Sequence, residues 1–194
     1  VKITVLQSGI QQEKSVGKIL FTHVGLSGPT ILNLSANVGE LLKYGEVVIS
    51  LDVLPEFDYA TLNLKLQEIF KEQDKRKFKN CLSALIPSSL APVIVELSGI
   101  DPDKQCNNVS REERVRLVKL LKHLELSVEG LLGEDKAITT SGGIAIEEVD
   151  FKTMQSRLYP NLYVAGDVLK INRSSGGYGL QLCWTTGYVA GNSV

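Results

Sequence analysis

The sequence predicts an α+β fold, and three observations predict it. Apolar and polar residues alternate over residues 1–6, 46–54 and 126–132, the pattern of half-buried strands. Residues 58–124 instead repeat their apolar side chains at helical spacing. The last third of the chain is richer in glycine and alternates short strands with turns. The change in composition near residues 139–143 marks an expected domain boundary. It separates a first domain over 1–138, β-rich over 1–54 and 125–138 and helical over 58–124, from a C-terminal segment over 139–194.

Each element has its own local reason. Val1, Ile3 and Val5 share one face of the first strand. Residues 7–14 are polar and carry Gly9, so a turn is expected there, with a returning strand over 17–21. Two glycines and a serine precede Pro29 in the run Thr22-His23-Val24-Gly25-Leu26-Ser27-Gly28-Pro29-Thr30, and residues 31–38 read as helix. Proline suits a first helical turn, where its missing N–H would have had no partner. Gly39 is the expected stop. Val47, Ile49, Leu51 and Val53 line one face of the next strand. Asp58 is placed to cap a helix whose apolar face is Leu62, Leu66, Ile69 and Phe70. Residues 82–86 form a short apolar piece broken by Pro87. Ser89 then starts a second helix that ends before Gly99. Ser110 with Glu113 makes a capping box for a third helix, buried through Leu117, Val118, Leu121 and Leu124. Strands follow over 126–132 and 137–140.

Composition narrows the function classes. A formal net charge of −1 over 194 residues gives no electrostatic reason to expect nucleic acid or an anionic membrane as partner. No apolar run approaches the roughly 20 residues that span a bilayer. The three cysteines, Cys81, Cys106 and Cys183, are far apart and lack a histidine pair at ligand spacing. They are expected to be reduced thiols in a cytoplasmic protein, without a metal site. The chain opens on Val1 inside a strand-like run, which suggests an excised part of a longer chain.

The informative segment is 139–191. Residues 162–164 form a short apolar strand, Ala165 and Gly166 are small, and Asp167 places a carboxylate at the strand's carboxyl end. Ligands of open α/β sheets bind at such ends, and a carboxylate there suits sugar hydroxyls. On pattern alone the plainer reading is a strand ending in a Gly-Asp turn. Ser174-Ser175-Gly176-Gly177 leads into a final helix, whose unpaired N–H groups carry partial positive charge. They suit a phosphate, a carboxylate or the electron-rich carbonyl edge of a flavin. No Gly-Lys-Ser/Thr follows, so this is not a P-loop. Leu182 stands where a dinucleotide fingerprint would have its third glycine. Gly179, Cys183, Gly187 and Gly191 fall four apart and form a small-residue stripe, which by itself reads as close helix packing. Trp184 and Tyr188 are expected to pack in a core. A structural hydrogen bond is the plainer reading of His23; a place facing a cofactor is the other. His123 suits a helix C-terminus, and the lysines and arginine of residues 71–79 suit a solvated helix end.

Taken together these motifs resemble the HI0933-like (YhiN-type) flavoproteins. The resemblance rests on Thr139 or Thr140 with Gly142 and Gly143, on Thr153-Met154-Gln155-Ser156, on residues 162–167, on Gly176-Gly177-Tyr178-Gly179-Leu180-Gln181, and on residues 20–29. It implies a β-barrel-like insert domain with a small helical subdomain, followed by a C-terminal fragment of a glutathione-reductase-type FAD-binding Rossmann domain. It implies that Asp167, beside Gly166, meets the ribityl or diphosphate part of FAD. The amides around Gly177, Tyr178, Gly179 and Leu180 would face the flavin pyrimidine edge, with Gly142 and Gly143 near the domain junction. Gly179 stands where the family often has asparagine, and residues 170–173 are basic where relatives are often acidic. The Gly-x-Gly-x-x-Gly unit for the FAD diphosphate is absent, so this chain alone is expected not to hold FAD usefully. The implied protein is an FAD-dependent oxidoreductase, with NAD(P)H as reductant, a small-molecule substrate, and a missing N-terminal FAD-binding half as partner. No residue presents itself as acid, base or nucleophile. The competing reading is a non-catalytic binding or interaction module with no cofactor of its own.

Overall fold

The computed structural model describes residues 1–137, 142–171 and 174–194. Thr139, Thr140, most of the expected strand over 137–140 and part of the basic stretch 170–173 lie outside the described residues. In chain order the elements begin with strands β1 (Lys2–Gln7), β2 (Ile10–Val16), β3 (Leu20–Thr22) and β4 (Gly25–Ser27), then helix α1 (Pro29–Leu41) and strand β5 (Val47–Asp52). Helices α2 (Tyr59–Glu72), α3 (Ala91–Ser98) and α4 (Arg111–Lys122) precede β6 (Leu124–Val128), β7 (Val149–Asp150), β8 (Gln155–Ser156) and α5 (Tyr178–Gly191). The class is mixed α and β, as the sequence predicts. No helix among the described residues is long and apolar enough to cross a membrane.

The chain divides into two compact units. One is Val1–Gly17 with Tyr44–Glu129, and the other is Lys18–Lys43 with Gly130–Val194. In the first, four antiparallel strands pair in the order β2-β1-β5-β6. Ile3, Val5, Val47, Ile49 and Leu51 are buried, so the alternation expected of β1 and β5 sets their inner face. The sheet is open, not a closed barrel, among the described residues. Its edge strand β2 is the polar run expected to be a turn; only Ser8 and Gly9 turn, both at positive φ. Lysine and glutamate along β2 suit an edge that faces water.

The helices of this unit start and stop where their caps direct. Asp58 Oδ1 accepts from the Thr61 amide at 2.8 Å, and Ser110 and Glu113 close the capping box that opens α4. Gly99 ends α3 in the left-handed conformation. Both α2 and α3 pack on α4, burying Leu62, Leu66, Ile94, Leu117 and Leu121. Each such side chain contributes roughly 1.5–3 kcal/mol on burial. Lys122, also buried, pairs with Asp52 at 2.6 Å and donates to the Leu54 and Phe57 carbonyls, so its charge is fully partnered.

The cysteine expectation is corrected here. Cys81 and Cys106 are joined by a disulfide across a separation of 25 residues, and Cys183 alone is free. Backbone pairing brings the two together. Phe78 N donates to Lys104 O at 2.8 Å and Cys106 N to Arg76 O at 2.9 Å, around an antiparallel bridge between Lys77 and Gln105. The spacing of the cysteines carries no trace of that pairing.

In the second unit, β3 and β4 form a small hairpin that runs into α1. Helix α1 continues through Gly39 to Leu41 instead of stopping. A Cβ at position 39 would lie 2.9 Å from the Leu131 side chain, so this glycine serves close packing. A small core of Val149, Met154, Val164 and Leu169 gathers Val189 and Ala190 of α5 against it.

Candidate functional site

The glycine-rich motifs converge within the second unit. Gly143 has φ +113, and a Cβ there would press against the Val168 carbonyl and lie 3.1 Å from Lys170 N. The absence of a side chain lets residues 143–144 lie flat on residues 168–170. Ile144 N donates to Val168 O at 2.8 Å, Lys170 N donates to Ile144 O at 2.9 Å, and Ile144 forms a parallel bridge with Leu169. The Gly142-Gly143 run is thereby fixed beside the Gly166–Asp167 turn.

That turn is fixed in its own right. Residues 162–164 were expected to be a strand, and the structure reduces them to a bridge between Gln155 and Tyr163. Ser156 N donates to Leu162 O and Val164 N to Met154 O, both at 2.8 Å, so pairing is with β8 and extends no further. A short 3-10 turn, Gly166–Val168, then presents Asp167 at the surface. Gly166 is buried, with φ +75, and a Cβ on it would lie 3.1 Å from Cys183 Sγ. Its amide donates to Thr186 Oγ1 at 2.8 Å, and Thr186 in turn donates to Leu182 O. Cys183 Sγ lies 3.7 Å from Asp167 Oδ1. Asp167 is therefore held along the flank of α5 beside Cys183, which lies about 7.5 Å of helical rise past the first residue, Tyr178.

The mouth of α5 is open. Gly177 caps the helix at φ +94 with no side-chain hydrogen bond, and Cβ atoms at Gly176 or Gly177 would meet nothing within 4 Å. Gln181 N is the first amide with an acceptor inside the helix, the Gly177 carbonyl. The amides of Tyr178, Gly179 and Leu180 have no partner among the described residues, and their partial positive charge faces outward. Ser175, just before the glycines, donates from its amide to Asn33 Oδ1 at 2.7 Å and from its hydroxyl to Pro29 O at 3.1 Å. The start of α1 and the start of α5 are thus tied together.

The sequence names Ser175 only as part of the lead into α5 and gives no sign of its ties to Asn33 and Pro29, nor of the role of Thr186. Thr186 was detectable as the one hydroxyl of α5 on the side of Cys183, but its acceptor role depends on Gly166, distant in sequence. Trp184 and Tyr188 are corrected. Both were expected in a core, and they are 66% and 75% exposed, with Tyr178 at 63% and Leu180 at 60%. Among the described residues α5 buries Thr186 alone. Of its small-residue stripe, Cys183 lies against Gly166, while Gly187 and Gly191 have nothing within Cβ reach.

The arrangement offers a ligand two kinds of contact: amides that have no partner among the described residues and no side chain in front of them, and a carboxylate on the flank of the same helix. Among the described residues no cluster of His, Cys, Asp or Glu is arranged to hold a metal ion.

The chain is 29% identical over 186 residues to a 3-dehydro-bile acid delta(4,6)-reductase of Clostridium scindens, covering 93% of this chain and 44% of that protein. It is 30% identical over 177 residues to a ribosomal RNA dihydrouridine synthase of Haemophilus influenzae, covering 91% of this chain and 42% of the relative. A protein of the same name from Escherichia coli matches at 30% over 176 residues, with the same coverage. The chain therefore spans less than half the length of the curated relatives it matches. The family model for the HI0933-like protein barrel and H2TH domain matches residues 1–139. A match over that much of the chain places this protein in the HI0933-like family.

Proposed function

We propose that this chain is part of an FAD-dependent oxidoreductase that saturates a carbon–carbon double bond conjugated to a carbonyl, with NAD(P)H as reductant. In this reading residues 1–138 are the insert domain and 139–194 the C-terminal segment of the FAD-binding domain. The observation that carries it is the uncapped mouth of α5, with its three unpartnered amides behind Gly176 and Gly177, and Asp167 on the flank of the same helix. Asp167 accepts from hydroxyls of the ribityl part of the cofactor. The amides of Tyr178, Gly179 and Leu180 donate to the pyrimidine edge, where they offset negative charge as it develops. Bound flavin supplies the hydride chemistry; the protein supplies position and electrostatics. Gly143 keeps the neighbouring backbone flat beside Asp167, with Gly142 leading into it.

The names of the relatives point to the bond. One specifies reduction at the 4 and 6 double bonds of a 3-dehydro, hence 3-oxo, compound. The other specifies dihydrouridine, which is uridine with two hydrogens added across a double bond conjugated to a carbonyl. The two differ in whether a small molecule or an RNA carries that bond. The net charge of −1 favours a small molecule, because RNA binding draws on an excess of lysine and arginine. The exposed apolar face of α5 is covered by the N-terminal half of the FAD-binding domain.

The test is purification of the full-length protein. It is expected to be yellow and to oxidise NAD(P)H in the presence of a conjugated enone. A colourless protein, or one whose NAD(P)H oxidation does not respond to any enone or uridine-containing RNA, overturns the reading; a response to RNA alone overturns the small-molecule assignment.

A further inference from the structure

We infer that His23 is the proton donor to the substrate in this reduction, an inference that rests on the flavin reading above. Saturating a double bond conjugated to a carbonyl adds two parts. A reduced flavin delivers hydride to the β-carbon and is oxidised by two electrons, and a proton must reach the α-carbon as the enolate electrons return to it. The flavin part comes with the cofactor. The proton is what a side chain must provide; of the residues assigned above to cofactor contact only Tyr178 carries a hydroxyl, and the experiment below separates it from His23.

The structure singles out His23. It lies in the same compact unit as the α5 mouth, whereas His123, the other histidine, lies in the other unit. It stands at the tip of the β3–β4 hairpin and is exposed. The structural hydrogen bond expected of it is not there: its ring has no hydrogen bond, ion pair or ring contact among the described residues. The tip that carries it is nevertheless built to hold one shape. Thr22 Oγ1 donates to Gly25 O at 3.0 Å and accepts from Val24 N at 3.3 Å, closing the turn around His23. An imidazole with no intramolecular task, on a turn that its neighbours hold in place, is presented outward.

The hairpin is also anchored to the candidate site. Gly28, at φ +98, has no room for a side chain: a Cβ would lie 3.2 Å from Ile19 Cα and from Leu20 N. This close approach sets the base of the hairpin against the first turn of α1. Thr30 Oγ1 fixes the same junction by donating to Lys18 O at 2.9 Å. Ser175 then ties Pro29 and Asn33 of that turn to the glycines that open α5. The chain of contacts from His23 to the α5 mouth runs through backbone and short side chains only. At about 3.3 Å per strand residue, the tip stands on the order of 10 Å beyond the base of the hairpin. Histidine suits the task because a positioned imidazole is the commonest side chain in general acid catalysis, and an exposed one can exchange protons with solvent. The exposed apolar side chains of Phe21 and Val24 beside it suit a substrate with hydrocarbon surface.

The experiment compares wild-type, His23→Gln and Tyr178→Phe forms of the full-length flavoprotein, with cyclohex-2-enone as probe. Flavin absorbance and the rate of flavin reduction by NAD(P)H report the cofactor site. The rate at which cyclohexenone reoxidises the reduced flavin without oxygen reports the proton step. Flavin content and reduction are expected to be unchanged in His23→Gln, and reoxidation to slow at least 100-fold, the range of general acid catalysis. A non-kinetic readout accompanies it: the His23 ring resonances, identified by their loss in His23→Gln, are expected to move when cyclohexenone saturates the oxidised protein. Reoxidation of His23→Gln within threefold of wild type, ring resonances that do not move, or the loss appearing in Tyr178→Phe instead overturns the assignment while leaving the flavin reading intact. A wild-type protein without flavin, or with reduced flavin that no enone and no uridine-containing RNA reoxidises, overturns both; reduced flavin that RNA reoxidises but cyclohexenone does not overturns the small-molecule assignment and the His23 role with it.

Discussion

Gly143 has less freedom than its neighbour although both are glycines with similar backbone angles. Gly142 has φ +115 and nothing within reach of a Cβ, whereas Gly143 has φ +113 and lies directly against the Val168 carbonyl and Lys170 N. A side chain at either position strains the backbone, and only at 143 does it also separate the paired segments. Gly142→Ala is expected to cost about 1–2 kcal/mol from conformation alone. Gly143→Ala adds steric displacement, for about 2–4 kcal/mol. Urea denaturation of the two variants checks this, and equal losses would show that the 143–170 contact is not tight. The same logic explains why Gly166 cannot be replaced quietly, since a Cβ there meets Cys183 Sγ on the helix that carries the site.

At the scale of elements, the helical subdomain is held at its ends by charge as well as by packing. Glu113 accepts from Lys104 Nζ at 2.7 Å and from the Ser110 amide at 2.7 Å. The Lys104 bond first, and the Ser110 amide second, hold its carboxyl below the usual range. Asp103 accepts from both Lys79 and Lys77, which bring its carboxyl from 3.8 down to about 2. The sign follows from linkage. The folded carboxylate is the stronger acid, so the unfolded chain takes up the proton first. The stabilisation is therefore complete above the unfolded value and is lost as pH falls through the folded one. Asp103 and its lysines are about half exposed, so water screens the pair and the effect is modest. The urea midpoint of wild type is expected to fall as pH drops from 4.5 toward 2, and to fall less in Lys77→Met/Lys79→Met. Identical pH profiles for the two proteins would remove Asp103 from the account.

At the scale of the molecule, α5 is the element out of balance. Tyr178, Leu180, Trp184 and Tyr188 are apolar or aromatic and face water, although a helix with so little polar surface normally lies inside a protein. In the longer chain that the proposed function requires, this face is covered and lies beside the cofactor. Trp184 is the one tryptophan of these 194 residues and reports on it directly. In this chain alone its emission is expected at the long wavelength of a hydrated indole. In the full-length flavoprotein, with any further tryptophans replaced, it is expected to shift to the blue and to be quenched. An unchanged Trp184 spectrum would show that α5 stays bare and that the N-terminal half does not dock there.

The local pattern of the sequence determined the α and β class, the helix starts at Pro29, Asp58 and Ser110, the Gly99 stop, and the buried faces of β1, β5 and α2; of the α4 face it placed Leu117, Val118 and Leu121, whereas Leu124 opens β6, which runs over Leu124–Val128 and not 126–132. Each of these depends on residues within one or two turns of each other, through a cap, a proline or a spacing. The family was legible too, because it rests on the order of several linked motifs. Tertiary contact alone decided the rest. Gly39 does not end α1 because Leu131 packs on it, Cys81 finds Cys106 through pairing of two distant segments, and the open sheet leaves β2 as a polar edge. The site divides along the same line. Its glycines and Asp167 could be named from sequence, but the ties made by Ser175 and Thr186, and the bare imidazole of His23, depend on partners brought near or left distant by folding, which no local spacing records.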